Sequence, residues 1–174
     1  MKRSFFTAVV LFAFIASACD KLDDLLTFYL NEEETIEIKS QFPIGLAPIA
    51  PIAVTTNTEE DFKNNKTRAE LVKDVTLNKL ELIITDPQHE NFNFLRKIEI
   101  YISADNKEEV KIAYLEEVPA NVNSIELNST NAKLDEYIKG DSYTIGTRAT
   151  LAKPVSQDVT IKAKMRFKVT ADPI

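Results

Sequence analysis

One cysteine, one histidine and no tryptophan stand among 174 residues. That scarcity leaves too few ligands for a zinc site built from several His and Cys side chains. It also leaves a Ser–His–acid relay only His89 to use, with no Gly-x-Ser-x-Gly elbow to present a nucleophile. Three glycines give no glycine-rich loop to cradle a phosphate. Positive charge is short as well: 21 Lys and Arg stand against 27 Asp and Glu, for a net charge of −6. A nucleic-acid binder needs basic residues to neutralise phosphates, so nucleic acid drops out as a partner. No calcium-type Asp-x-Asp-x-Asp-Gly loop occurs, and a sugar-cleaving site would lack Trp platforms. The expectation is a chain with no catalytic residues, no metal and no cofactor.

What is present is a folded-domain composition, 44% hydrophobic and 28% charged, at a length that suits one domain. The amino terminus stands apart. Lys2 and Arg3 precede an uncharged stretch from Ser4 to Ala18, whose apolar part ends in Ala16-Ser17-Ala18 before Cys19. A basic start, a short apolar run and small residues at the exit make up a secretory signal peptide. The run is shorter than the roughly 20 residues that cross a bilayer comfortably.

With its only Cys directly after those small residues, the sequence resembles a bacterial lipoprotein precursor. It departs from the commonest pattern in having Ala16, rather than Leu, three places before the Cys. The resemblance implies that Cys19 carries a diacylglyceryl group and that cleavage falls just before it. Two or more acyl chains anchor stably, since each buried methylene contributes ~0.8 kcal/mol. Residues 1–18 therefore read as signal, 19–30 as a lipidated tether, and 31–174 as the folded domain. Removing Lys2 and Arg3 lowers the count of cations from 21 to 19, so the mature charge is 19 − 27 = −8. A body of that sign does not seek an anionic membrane, and the lipid must hold it there. Asp20-Lys21-Leu22-Asp23-Asp24 resembles either a surface-export signal or an inner-membrane retention signal, or is a plain solvated tether. The location expected is the cell envelope, with the outer membrane favoured.

The body reads as strands. Val159, Ile161, Ala163, Met165, Phe167 and Val169 alternate with Thr160, Lys162, Lys164, Arg166, Lys168 and Thr170, as a half-buried strand requires. A Lys at position 165 is accordingly expected to unfold the domain. Ile98, Ile100 and Ile102 alternate likewise, and Asp105-Asn106-Lys107 reads as the turn into Val110–Leu115. Further strands are expected at 34–39, 75–85, 122–127 and 143–151. Within 75–85 the apolar parity slips between Leu77 and Leu80, which predicts a bulge at Asn78-Lys79. A helix is expected from Thr58, as capping residue, to about Lys73, and a second over 131–139 with Gly140 as its C-cap. Phe42–Pro51 carries three prolines and reads as a loop or edge segment that caps one end or presents a sticky surface. Six or seven closely spaced strands favour an antiparallel β-sandwich of immunoglobulin-like size, with a β-barrel as the alternative.

Surface features give three weak leads. The cationic row Lys162, Lys164, Arg166, Lys168 reads as edge protection or as pairing with glutamates on a neighbouring strand, and otherwise as a contact for an anionic partner. The acidic runs Glu32-Glu33-Glu34, Glu59-Glu60-Asp61, Glu108-Glu109 and Glu116-Glu117 read as surface charge. A cluster of Tyr29, Tyr101, Tyr114, Tyr137 or Tyr143 would point to a glycan. The functional expectation is a lipid-anchored, non-enzymatic binding or scaffolding module. Its alternatives are an assembly subunit that adds a strand to another envelope protein and, least of all, an enzyme built on dispersed carboxylates.

Overall fold

The last strand of the chain organises the rest. In the computed structural model, which describes residues 26–40, 42–172 and 174, it runs over Val159–Ala171 with every second side chain buried from Val159 to Ala171. Numbered in chain order, the strands are β1 (Thr27–Ile38), β2 (Gly45–Thr55), β3 (Val72–Asp86), β4 (Leu95–Ser103), β5 (Val110–Leu115), β6 (Ser124–Ser129), β7 (Ser142–Leu151) and β8 (Val159–Ala171). All pairings are antiparallel, in the order β1-β8-β3-β6-β5-β4-β7-β2. Apolar faces of β1, β8, β3 and β6 bury against those of β5, β4, β7 and β2 in a single core. This order of first, eighth, third, sixth and then fifth, fourth, seventh, second is the jelly-roll arrangement of an antiparallel sandwich. The two halves stay joined through the short β5–β6 pairing, so the sheet curls into a half-barrel. The sandwich expected from the strand spacing is present, with eight strands among the described residues rather than six or seven, and without the immunoglobulin strand order.

The predicted bulge is there. The β3–β8 register shifts between Leu77 and Lys79, and the extra residue Asn78 lets Val75, Leu77, Leu80, Leu82 and Ile84 all point inward. The turn between β4 and β5 closes with Lys107 N–H donating to Ala104 O at 3.0 Å, and Asn106 adopts a left-handed φ of 59°. β1 begins four residues inside the segment read as tether, because Phe28 and Leu30 already pack on the core face. The expected signal peptide and Cys19 lie outside the described residues.

The helices are shorter than the sequence suggests. Helix α1 covers Thr58–Asn64 and ends before Asn65, with Lys66 at a φ of 57°. Its N-cap is Asn57, which makes no side-chain cap, and Thr58 is the first helical residue and buried. Ala69 lies in a separate 3-10 turn and Val72 opens β3. Helix α2 covers only Asp135–Ile138, and its C-cap is Lys139, so Gly140 does not serve as the cap. The Gly140 carbonyl instead accepts from the Thr56 hydroxyl at 2.7 Å. Among the described residues, no helix is long and apolar enough to cross a membrane.

Strand direction sorts the connections. The start of β1, both helices and the β4–β5 turn lie at one end of the sandwich. The connections at 39–44, 87–94, 116–123 and 152–158 lie at the other.

Candidate functional site: the open seam

A sheet that stops short of closing has two edges, and here they are β1 and β2. They come together across a seam with no hydrogen-bonded ladder between them among the described residues. A cleft of about 200 Å³ separates Thr35, Ile36 and Glu37 of β1 from Ile49, Ala50, Pro51 and Ile52 of β2.

β2 has the sequence Gly-Leu-Ala-Pro-Ile-Ala-Pro-Ile-Ala-Val-Thr, without one charged residue. Among the described residues it pairs with β7 on one side only. Proline lacks an amide hydrogen and is tolerated on an edge or at a bulge, and Pro48 and Pro51 sit on such an edge. Between Ile49 and Ile52 the register with β7 breaks, which leaves Ala50 and Pro51 unpaired on that side. Ile49 and Val54 are buried, while Leu46 is 70% exposed and Ile44, just before the strand, 62%. Gly45 starts the strand at a φ of 98°, a conformation that costs glycine little. The proline-rich stretch is thus an edge strand whose apolar residues divide between core and solvent, rather than a cap over the sandwich end.

β1 has the opposite character. Its period of two puts Phe28, Leu30, Glu32, Glu34, Ile36 and Ile38 on the inner face and Glu33 and Glu37 outside. Two carboxylates therefore point inward between buried Leu30 and buried Ile36. Burial raises the Glu32 carboxyl above its ordinary range, with Asp61 of α1 and Glu34 adding repulsion. Burial also raises Glu34. Tyr143 of β7 is 2% exposed, and its hydroxyl has no hydrogen-bond partner among the described residues. Burial pushes that phenol far up, and the charges of Glu32 and Glu34 push it further.

The other residues marked by the sequence are dispersed. Lys162 pairs with Glu33 at 2.8 Å, and Lys164 lies 4.0 Å from the same carboxylate. Arg166 donates to Asn78 Oδ1 at 2.7 Å and stacks 4.7 Å over the Tyr29 ring. The cationic row thus faces a glutamate, an asparagine and an aromatic ring on neighbouring strands, except for Lys168. His89 is exposed in the turn after β3. Glu109 bonds to Arg148, and Glu116 meets Lys97 at 2.8 Å. Glu59, Glu60 and Asp61 form the first turn of α1. The five tyrosines do not gather: Tyr101 and Tyr114 flank Lys111 on the outside of one half, Tyr29 lies outside the other, and Tyr137 is buried with its hydroxyl donating to Glu108 O. Sequence reading passed over the inward pair Glu32 and Glu34. The signal is present, since both share parity with Leu30 and Ile36, but the triple glutamate reads as one surface run.

No family model and no curated protein matches the chain. Among solved structures it is similar to the BFDV capsid protein in its 60-mer, at 13% identity and a TM-score of 0.43, covering 84% of this chain and 93% of that one. For the decameric BFDV capsid protein the values are 12% identity and a TM-score of 0.40, covering 83% and 98%. Turnip yellow mosaic virus is also similar, at 10% identity and a TM-score of 0.29, over 84% of this chain and 95% of that chain.

Proposed function

We propose that the chain is a lipid-anchored, non-enzymatic module of the cell envelope that works by pairing, and that its β2 edge receives an extended segment of another envelope protein. The observation that carries the pairing is β2 itself: eleven residues, uncharged, and bonded on one side only among the described residues. An exposed edge of this kind is a template for an added strand, whose main-chain bonds supply affinity while side chains set register. Pro48 and Pro51 remove two amide donors from the strand, which confines any ladder to short stretches and discourages indiscriminate pairing.

The anchor limits reach. Eight peptide steps from Cys19 to Thr27 span at most about 28 Å, so the start of β1 stays within that distance of the lipidated residue. Ile44 and Leu46 lie at the opposite end of the sandwich from the start of β1. The alternative, contact through the distal loops alone, lacks an apolar strand to carry it.

Two measurements test the reading. Cys19→Ser should move the protein out of the membrane fraction, and unchanged fractionation would defeat the anchor. A photo-crosslinker placed at Leu46 in intact membranes should give one discrete adduct that Ala53→Lys abolishes and that Thr35→Lys, on the other edge, leaves in place. An adduct indifferent to Ala53→Lys would defeat β2 as the pairing edge.

A further inference from the structure

We propose that the outer face of β1, β8 and β3 carries a site for a carboxylated sugar residue, with the Arg166 guanidinium holding the carboxylate. The inference does not rest on strand pairing at β2. A cleft of about 320 Å³ opens on that face between Asn31 and Glu33 of β1, Lys164 and Arg166 of β8, and Lys79 and Glu81 of β3. Its floor lies where Glu32 and Met165, whose side chains turn to the inner face, pair in register. The bulge in β3 shapes the site. Leu77 pairs with Phe167 and Lys79 with Arg166, so Asn78 is the extra residue and two cations stand opposite each other. Like charges directly opposite on neighbouring strands destabilise a sheet, and a bound anion relieves them. Asn78 Oδ1 meanwhile accepts from Arg166 Nε at 2.7 Å, and the guanidinium lies 4.7 Å over the Tyr29 ring. The two terminal nitrogens of Arg166 make no hydrogen bond or ion pair among the described residues.

The charge balance around the cleft selects its occupant. Glu33 is held by Lys162 at 2.8 Å, and Glu81 by the Ser124 hydroxyl at 2.9 Å and Lys79 at 3.4 Å. Both carboxylates thus have their partners, whereas the Lys164 ammonium lies 4.0 Å from Glu33. A planar guanidinium whose Nε is occupied offers its two terminal nitrogens to the two oxygens of one carboxylate. Lys79 and Lys164 add point charges at its flanks. A phosphate dianion meets more repulsion from Glu33 and Glu81 than a singly charged carboxylate does. The aromatic ring points to a sugar. Tyr29 is 46% exposed, stands two residues before Asn31 on the same face, and borders the cleft through Arg166. An aromatic face takes the C–H side of a sugar ring, and the Asn31 amide both donates to hydroxyls and accepts from them. One ring serves one sugar residue, and the cleft sits at the small end of the roughly 300–1,000 Å³ typical of ligand sites.

The carboxylated sugar is either a free monosaccharide or one unit of a polymer. Backbone amide NMR of the full chain in neutral detergent micelles, at neutral pH and low salt, separates the two. The probes are D-galacturonate and tetragalacturonate, with D-galactose, inorganic phosphate and the capped peptide Ser-Asp-Ser-Asp-Ser as controls. Saturable shifts centred on Asn31, Asn78, Lys79 and Arg166 are expected, with both uronates if the monosaccharide suffices and with tetragalacturonate alone if the ligand is a polymer. D-galactose, which lacks the carboxylate, should give none. Arg166→Lys keeps the charge but removes the planar fork, and should weaken binding about tenfold. Tyr29→Ala should weaken it less. Thermal melting of each variant against the native chain keeps loss of binding distinct from loss of fold. Absence of a saturable shift with both uronates would overturn the proposal, as would equal binding by D-galactose or undiminished binding by Arg166→Lys. Tighter binding of phosphate or of the acidic peptide at the same residues would overturn the sugar as occupant. Ala53→Lys should leave these shifts unchanged, so loss of pairing at β2 and loss of this site are read separately.

Discussion

β1 and β2 are the two free edges of one sheet, and they meet the hazard of an open edge by different means. β1 carries four glutamates in twelve residues, two outward and two inward. β2 carries no charge in eleven residues and relies on two prolines and a break in register. Charge keeps an edge solvated and repels like strands, while proline removes the donors that a ladder needs. The two devices respond differently to conditions. Protonation or salt weakens the first, and neither touches the second. β1 is thus an edge whose protection titrates, and β2 one whose protection is fixed in the backbone but leaves apolar side chains in view.

The largest expected effect tests how the inner face of β1 differs along its own length. On β8, Phe167 pairs in register with Leu30 of β1 and Leu77 of β3, whereas Met165 pairs with Glu32 and Leu80. Both are buried, at 0% and 2% exposure. Phe167→Lys strands an ammonium among apolar side chains and should cost more than about 4 kcal/mol, enough to abolish the folded baseline in a urea titration. Met165→Lys puts the same group beside Glu32. Read from the alternation alone it is as damaging as any core lysine; in the folded register it brings its own counter-ion to the inward pair. We expect it to remain folded at neutral pH, with a lowered midpoint that falls further when combined with Glu32→Gln. If the two lysines unfold the domain alike, Glu32 does not act as a counter-ion on the inner face of β1.

The contrast between Phe167 and Met165 shows how far the sequence is legible. Alternation over 159–169 and the parity slip at Asn78 each encode a face within one segment, so β8 and the β3 bulge can be read directly. The β2 strand is harder, since proline argues against a ladder and only its edge position makes it compatible. The α1 helix stops at Asn64 because Asn64-Asn65 offers no helical continuation and β3 claims Val72. The seam is the least legible feature. Ile36 and Ile52 are distant in sequence, and their meeting across the cleft depends on which strands become edges, which no local pattern states.

Glu32 and Glu33 give a smaller and sharper contrast, for they are neighbours whose carboxyls shift in opposite directions. Glu32 is raised by burial, so it favours the folded state below its ordinary value near 4.5 and loses that contribution as pH rises through its folded-state value. Glu33 is lowered, first by its hydrogen bond from Lys162. Its contribution is present above the ordinary value and lost as pH falls. Glu32→Gln should therefore raise stability at pH 7 and change it little at pH 3. Since Glu32 is half open to solvent, screening reduces the gain to a few tenths of a kcal/mol. Paired chemical denaturation at the two pH values checks this. A variant more stabilised in acid than at neutrality would reverse the assignment of the inward face.

The smallest effect belongs to the outer face. Lys162 and Glu33 meet at 2.8 Å with side chains 41% and 53% exposed. Water screens such a pair, and holding two long side chains together costs rotamer freedom that offsets the attraction. Lys162→Ala should leave the thermal midpoint unchanged within error at low and high salt alike. The outer glutamate then serves by staying hydrated at the edge, not by gripping its neighbour. Should the midpoint drop at low salt and recover at high salt, the cation is relieving repulsion among the β1 carboxylates. The contrast between the two edges would then rest on charge balance along β1, and the inward pair would have to be weighed together with the outward one.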